Sequence, residues 1–98
     1  MKEMQQNAQE AAAFLKSFAS QHRLAILCAL TEGEKNVTEL MEIVGLPQTS
    51  MSQHLAKLKS QNIVTFRREH RSLYYYICDD KAEQLLSMLH GFFCEKDK

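Results

Sequence analysis

Three cysteines are the residues of this sequence best suited to covalent chemistry. They are Cys28, Cys78 and Cys94, and no two of them stand at the spacing of a CxC or CxxC motif. This spacing argues against zinc-ribbon and thioredoxin-like sites, and an odd number of widely spaced cysteines argues against a structural disulfide framework. Thiol chemistry shared between two of them therefore requires the fold to bring distant segments together.

A second group of residues has the composition of a surface that reads DNA. Hydroxyl, amide and imidazole side chains hydrogen-bond to base edges, and basic side chains bind phosphates. The candidates on one polar segment are Gln48, Thr49, Ser50, Ser52, Gln53, His54 and Lys57. A basic cluster follows between two apolar segments, and its candidates are Arg67, Arg68, His70 and Arg71. Together these residues predict an interface with double-stranded DNA.

The charge of the chain is unevenly distributed, although its formal net charge is zero. Residues 1–45 and residues 76–98 each have a balance of −2, whereas residues 46–75 have five basic side chains and one acidic, a balance of +4. Because local positive potential attracts a polyanion, the middle segment favours nucleic acid as the partner.

Length and composition exclude several classes of protein. The chain has 98 residues, 45% hydrophobic and 24% charged, as is typical of a soluble globular domain. Its longest apolar run, Leu24–Leu30, is too short to cross a bilayer, and residues 1–20 lack the pattern of a signal peptide. We therefore expect a single cytoplasmic domain over residues 1–98, and neither a membrane nor a secreted protein.

Five helices and a β-hairpin are predicted to position the candidate residues. Apolar residues follow the helical period over residues 5–19, 21–30, 37–44, 48–61 and from about 80 to 94. The predicted N-caps are Ser20, Asn36 with Glu39, and Asp79 or Asp80, and the predicted helix ends are Gly45 and Asn62. Two segments rich in β-branched and aromatic residues, Ile63–Arg68 and Ser72–Cys78, flank a turn at Glu69-His70-Arg71.

The predicted order, α-α-α-α-β-β-α, describes a mostly α protein with a small β-hairpin. Two short helices joined by a tight turn at Gly45 form a helix-turn-helix, whose second helix enters the major groove. A basic hairpin directly after it fits the wing of a winged helix-turn-helix. Composition and order leave one alternative open, which is a polar helix on a small α+β domain that binds another protein.

The motifs of the chain resemble those of the ArsR/SmtB family of bacterial repressors over nearly its whole length. The matching segments are Arg23-Leu24-Ala25-Ile26-Leu27, Ser52-Gln53-His54-Leu55-Ala56-Lys57-Leu58, Asn62-Ile63-Val64, Arg67-Arg68-Glu69 and Tyr74-Tyr75-Tyr76. The chain departs from the family at Pro47, where a Ser N-cap is usual, and at His70, where many members have Gly. The resemblance implies a homodimer through the first and last helices, bound to an inverted-repeat operator. The broad apolar content of the last helix agrees with such an interface.

The resemblance also bears on what the protein senses. The third helix begins Val37-Thr38-Glu39-Leu40-Met41-Glu42, without the Cys of the metal-sensing members, and the last helix has one histidine, His90. We therefore expect no metal or other cofactor, and no catalytic residue. Cys28 and Cys94 resemble the cysteines of the persulfide-sensing BigR, SqrR and HlyU group, which a polysulfide bridge links in the form that releases DNA. The resemblance thus implies a redox-sensing pair, Cys28 and Cys94, with reactive sulfur species as the effector.

Several alternatives stay open. A metal- or metalloid-responsive repressor would use Cys28, Cys94 and His90, and an HlyU-like anti-silencing activator would share the fold but act in the opposite direction on transcription. A persulfide-handling thiol enzyme is disfavoured, because the sequence lacks a CxxC motif and a phosphate-binding Gly loop. From position alone, Cys28 is also compatible with a buried packing residue and Cys94 with an incidental thiol at a helix end.

Overall fold

The computed structural model describes residues 2–94 and the side chains of residues 3–94. Its elements are α1 (Lys2–Lys16), α2 (Gln21–Leu30), β1 (Lys35–Asn36), α3 (Val37–Val44), α4 (Gln48–Ser60), β2 (Val64–Glu69), β3 (Ser72–Ile77) and α5 (Asp80–Phe93). The predicted order of five helices and a hairpin is confirmed, with one addition, the short strand β1. This is the winged helix-turn-helix fold.

The ends of the helices lie where the capping residues predict them. The Ser20 side chain accepts a hydrogen bond from the backbone N–H of Arg23 at the start of α2. At the start of α3, the Glu39 N–H donates to Asn36 Oδ1 (2.8 Å) and the Asn36 N–H donates to Glu39 Oε1 (2.9 Å), a complete capping box. Gly45 ends α3 with a φ of 83°, the left-handed conformation that glycine adopts without strain.

The three strands form an antiparallel sheet in the order β1-β3-β2. The predicted two-stranded hairpin is therefore incomplete, because Lys35 pairs with Tyr75 and Asn36 with Tyr74. Two residues are too short to show the alternation that marks a strand, so β1 is defined by its partner rather than by its own sequence. Glu69 pairs with Ser72, which leaves a two-residue turn at His70 and Arg71 in place of the predicted three.

His70 makes this short turn possible. Its φ is 58°, in the left-handed region that two-residue hairpin turns use. Asn62, at the end of the helix before β2, has a φ of 62°, as the sequence predicts for the residue that ends this helix. His70 thus takes a conformation that glycine adopts without strain, at the position where the chain departs from the family that it resembles.

The hydrophobic core lies between α2, α3, α4 and the sheet. Its fully buried large apolar side chains are Ile26, Leu27, Leu40, Met51, Leu55, Leu58, Ile63 and Val64. The interpretation of Cys28 as a buried packing residue is wrong, because Cys28 is exposed. Successive residues of a helix are rotated by about 100°, so a helix that buries Ile26 and Leu30 on one side places Cys28 on the other.

Helices α1 and α5 leave apolar side chains on the surface. Those with more than half of their area exposed are Met4, Leu15, Met88, Phe92 and Phe93. α5 buries Ala82 and Leu86 against the core, so its exposed apolar residues lie on the remaining faces of the helix. None of the helices among residues 2–94 is long and apolar enough to span a membrane.

Candidate DNA interface and thiol cleft

Helix α4 separates its apolar and polar residues onto two sides. Met51, Leu55 and Leu58 are fully buried and attach the helix to the core. The predicted DNA-contacting residues lie on the other sides of the helix, where the exposed ones are Gln48, Thr49, Ser52, Gln53 and Lys57. A helix held by three buried side chains presents these polar groups in a fixed arrangement, as groove reading requires.

The N-terminus of α4 is uncapped by any side chain among residues 2–94. Pro47 precedes the helix and has no polar side chain, and the Met51 N–H donates to the Pro47 carbonyl to close the first turn (3.0 Å). The helix begins at Gln48, as the sequence predicts. Its first backbone N–H groups and the positive end of its dipole are thus left without a side-chain partner, an arrangement that favours an anion.

Two of the predicted DNA-contacting residues, Ser50 and His54, are half-buried. The His54 ring lies 5.8 Å from the His22 ring, centroid to centroid, at the start of α2. Partial burial, followed by the charge of Arg23 and the His22 ring, lowers the pKa of His54. The His54–His22 contact therefore joins α4 to α2, and Arg23 Nε donates to the Ser17 carbonyl (2.9 Å), which joins α2 to the turn before it.

The four side chains of the predicted wing cluster, Arg67, Arg68, His70 and Arg71, are all exposed, but they differ in what they bind. Arg67 Nε donates to both carboxylate oxygens of Glu34 (2.9 and 3.0 Å), and Arg67 Nη1 donates to Glu69 (2.7 Å). The guanidinium also lies over the Tyr74 ring, 5.0 Å from its centroid. Two carboxylates therefore neutralise Arg67, whereas no ion pair to Arg68 or Arg71 is present among residues 2–94.

The Arg67 network has an electrostatic signature. The Arg67 guanidinium beside Glu34 lowers the pKa of that carboxyl, and the two carboxylates raise the pKa of Arg67. Glu34 lies just before β1, so the network ties the wing to the segment that enters α3. Glu34 lies far from Arg67 along the chain, so no local pattern in the sequence indicates this pairing. The interactions of Arg67 thus differ from those expected of a residue that only binds phosphate.

The wing is also fixed to α4. Lys59 Nζ lies 5.3 Å from the centroid of the Phe66 ring, and that ring is 5.3 Å from the ring of Tyr75 on the neighbouring strand. A cation over an aromatic face is attracted by the ring quadrupole. Helix α4 and the wing are therefore held together as one basic surface. We call this surface, formed by α4, β2 and β3, the reading head.

Helices α2 and α5, with the turn after α2, line a cleft of about 610 Å³. Residues at helical spacing supply its two walls, and they are Cys28, Thr31 and Glu32 on one side and Glu83, Leu86, Ser87, His90 and Cys94 on the other. We call this feature the thiol cleft. It brings together Cys28 and Cys94, which the resemblance pairs, whereas Cys78 is not among its lining residues.

Cys94 is close enough to Cys28 to affect the Cys28 thiol. Partial burial in the cleft and the neighbouring Cys94 raise the pKa of the Cys28 thiol. Both cysteines are free thiols and exposed, so they are open to a reagent from solution. The Thr31 hydroxyl donates to the Cys28 carbonyl (2.6 Å) at the end of α2, and the Cys94 N–H donates to the His90 carbonyl (2.8 Å) at the end of α5. Each cysteine is thus anchored through its backbone at a helix end.

Cys78 is placed differently. It follows β3, is exposed, and its Sγ donates to the Asn62 carbonyl at 3.5 Å. Its backbone N–H donates to the Ile63 carbonyl (2.9 Å), so it closes the sheet next to β2. Within residues 2–94, no group of three or more His, Cys, Asp or Glu side chains has the arrangement of a metal site.

Comparison with known proteins identifies the family. Residues 20–65 match the family described as bacterial regulatory protein, arsR family. Over 98 residues the chain is 33% identical to the transcriptional activator HlyU of Vibrio cholerae, covering 100% of this chain and 91% of the relative. It is 36% identical over 96 residues to the biofilm growth-associated repressor of Xylella fastidiosa, covering 98% and 84%. The chain belongs to the ArsR family.

Solved structures of ArsR-type regulators share the fold. Reduced HlyU from Vibrio cholerae superposes with a TM-score of 0.93 at 34% identity, covering 97% of this chain and 100% of that one. A Mycobacterium bovis domain described as a homodimeric winged helix-turn-helix DNA-binding domain superposes with a TM-score of 0.81 at 28% identity, covering 94% and 85%. The protein is accordingly a transcriptional regulator of the ArsR family and not an enzyme.

Proposed function

We propose that this regulator is a homodimer that binds operator DNA when its cysteines are reduced and releases it when reactive sulfur species bridge Cys28 and Cys94. The observation that carries the proposal is the thiol cleft, which both cysteines line. Their proximity is visible in Cys28, whose pKa is raised by burial and by Cys94. Two free thiols in one open cleft are the arrangement that a dithiol sensor needs.

The reading head is the proposed DNA-binding part. Gln48, Thr49, Ser52 and Gln53 are exposed at the start of α4, where hydroxyls and amides meet base edges in the major groove. Ser50 and His54 complete this face from half-buried positions, and basic residues at its edge bind phosphates. We assign the phosphate contacts to Lys57, Arg68, His70 and Arg71, whereas we assign to Arg67 mainly the task of holding the wing.

The proposed dimer forms through the exposed apolar side chains of α1 and α5. Met88, Phe92 and Phe93 are each more than half exposed, and large apolar patches on a regulator mark interfaces. The homodimeric Mycobacterium bovis domain has the same fold. A two-fold dimer presents two reading heads to an inverted repeat, with half-sites about one helical turn, ~34–36 Å, apart. Sedimentation should therefore give twice the 11.3 kDa of the chain.

The proposed chemistry needs only persulfides as reagents. The Cys28 thiolate attacks the outer sulfur of a persulfide R–S–SH, the S–S bond breaks, R–SH leaves and Cys28 becomes a persulfide. A second donor converts Cys94 in the same way. The Cys28 persulfide then attacks the inner sulfur of the Cys94 persulfide and expels hydrogen sulfide, which leaves a trisulfide. Two thiols are oxidised and one sulfane sulfur is reduced to sulfide, so electrons balance.

Bridging would act on the distance between reading heads. A link between Cys28 and Cys94 ties α5 to α2, and α5 is also the proposed dimer helix. An effector shifts an equilibrium only if it favours one state, so the bridge must be strained in the DNA-bound arrangement. A bridge of several sulfurs spans a longer gap than a disulfide, whose Cα atoms lie within about 7 Å. This difference would favour persulfides over peroxide as the effector.

Intact mass measurement tests the proposal. The reduced protein is exposed briefly to excess inorganic polysulfide and measured without reductant. A bridged monomer is heavier by whole sulfur atoms and lighter by two hydrogens, and Cys78→Ser should give the same result. An unmodified mass, or persulfides on all three cysteines without loss of hydrogen, would contradict the proposal.

Two related functions have distinct outcomes. A metal- or metalloid-responsive repressor would use Cys28, Cys94 and His90, and it would release the operator on titration with zinc, cadmium or arsenite without persulfide.

The direction of regulation depends on the promoter, because one relative is called an activator and another a repressor. An anti-silencing activator would use the same reading head and thiol cleft to displace another protein from DNA.

A further inference from the structure

The thiol cleft carries an acidic lining in addition to its cysteines. Glu32 lies in the turn after α2, and Glu83 lies in the first turn of α5. Among the described lining residues there is no lysine or arginine, and His90 is the only one able to carry a positive charge. Thr31 and Ser87 contribute uncharged hydroxyls. At neutral pH, the two carboxylates therefore dominate the charge that an incoming reagent meets.

The size of the cleft does not exclude any small persulfide. Pockets of about 300–1,000 Å³ accommodate drug-sized molecules, and the thiol cleft has a volume of about 610 Å³. Both a two-carbon persulfide and a short peptide persulfide fit in such a space. The property of the cleft that distinguishes between such donors is therefore its charge.

We infer that Glu32 and Glu83 select the sulfur donor by charge. The thiol cleft takes sulfur preferentially from persulfides whose organic part is cationic or uncharged, and it disfavours peptide and other persulfides that carry carboxylates. This inference rests on the proposed function, because the selected reagent is the one that bridges Cys28 and Cys94. It makes Glu32 and Glu83 specificity-determining residues rather than participants in the sulfur transfer.

The physical basis is that the carboxylates line the same cleft as the reacting thiols. Glu32 follows Cys28 by one helical turn, and Glu83 shares one face of α5 with Ser87, His90 and Cys94, about three turns before Cys94. A donor that enters the cleft to reach Cys28 therefore meets a lining whose fixed charges are acidic. The Debye length is about 8 Å at physiological ionic strength and about 3 Å at 1 M, so the carboxylates act on a charged donor in the cleft more strongly in the first condition than in the second.

Two persulfides of matched size test the inference. Cysteamine persulfide and 3-mercaptopropionate persulfide have the same two-carbon spacer and end in an ammonium and a carboxylate. The initial rate of bridge formation is measured for each by quenching and intact mass, in the wild-type protein and in the double variant Glu32→Gln/Glu83→Gln. Glu42→Gln, an exposed carboxylate on α3 outside the cleft, is the matched control.

The quantity compared is the ratio of the two rates, which cancels any general change in thiol reactivity or in the fraction folded. We expect the wild-type protein and Glu42→Gln to react about tenfold faster with the cationic donor, and the double variant to show a ratio within about twofold of unity. In 1 M salt the wild-type ratio should also approach unity.

Two results would overturn the charge selection while leaving the dithiol sensor intact. One is an equal rate of bridge formation with both donors in the wild type, and the other is a rate ratio in the double variant that equals the wild-type ratio. If neither donor produced a monomer lighter by two hydrogens, the proposed function itself would fail and the inference with it. Bridging by the uncharged persulfide of 2-mercaptoethanol in the double variant shows that its cleft is still assembled.

Discussion

The reading head and the thiol cleft are built in opposite ways. Helix α4 is held to the core by side chains with no exposed area. The wing, β2 and β3, is joined to α4 by a cation–ring contact and to Glu34 by an ion pair. The thiol cleft is open and its two cysteines are exposed. Its walls come from α2 and α5, which lie far apart in the sequence. A rigid surface preserves sequence reading, whereas an open cleft between two helices admits a reagent and allows them to move.

The two regions also differ in charge. Basic side chains surround the reading head, and two carboxylates line the thiol cleft. DNA is a polyanion, so an acidic cleft discourages the DNA backbone from covering the cysteines. The proposed binding and sensing regions thus differ in charge within a domain of only 98 residues.

The largest difference between the two regions should appear in how much a substitution lowers the free energy of unfolding. Leu58 lies on the core-facing side of α4 and is fully buried, so Leu58→Ala should lower the free energy of unfolding by about 3 kcal/mol. Cys28→Ala in the thiol cleft removes an exposed side chain and should change it by less than about 0.5 kcal/mol. Urea unfolding at one protein concentration measures both, and equal losses would show that the cleft is packed as tightly as the core.

The next difference lies within the wing itself. Arg68→Ala should reduce the slope of log Kd against log salt concentration by about two for the proposed dimer, because one phosphate contact is lost in each protomer. Arg67→Ala should leave that slope nearly unchanged, since Glu34 and Glu69 already neutralise the guanidinium. Fluorescence anisotropy with labelled operator DNA over a salt series gives both slopes. An equal reduction in Arg67→Ala would instead make Arg67 a phosphate ligand.

The smallest effect is the pH dependence of the contact between α4 and α2. His54 binds its proton more weakly in the folded protein than in the unfolded chain, because burial, Arg23 and His22 lower its pKa. Stability should therefore fall as the pH drops below about 6.5, the ordinary imidazole value. The urea midpoint should decrease between pH 7.5 and pH 5.5, and this decrease should be smaller in His54→Gln than in the wild type. Gln53→Ala should show the same decrease as the wild type. A decrease of wild-type size in His54→Gln would exclude the His54 contact as its source.

The helices α3 and α4 are predictable because their signals are local. The capping box at Asn36, the left-handed residue Gly45 and the apolar spacing of α4 each act within a few residues, and the structure has all three. The short strand β1 is not predictable in this way, because only its pairing with β3 defines it. The Arg67–Glu34 ion pair escapes prediction for the same reason, since its partners meet only in the folded chain.

The thiol cleft is less accessible to sequence reasoning. The residues alone suggest a buried Cys28, and only the family resemblance pairs it with Cys94. One signal was present, because Glu83, Ser87, His90 and Cys94 follow the spacing of a single helix face. That spacing shows which residues share α5, but it cannot show that α2 supplies the opposite wall.

The most direct test of the proposed sensor is DNA release by single-cysteine variants. Wild type, Cys28→Ser, Cys94→Ser and Cys78→Ser are bound to labelled operator DNA in the reduced state and then treated with cysteamine persulfide. All four should bind DNA equally before treatment, since none of the cysteines lies on α4 or the wing. We expect the wild type and Cys78→Ser to release the DNA, and Cys28→Ser and Cys94→Ser to keep it bound. Release by either of these last two variants would contradict a sensor that works by bridging Cys28 and Cys94.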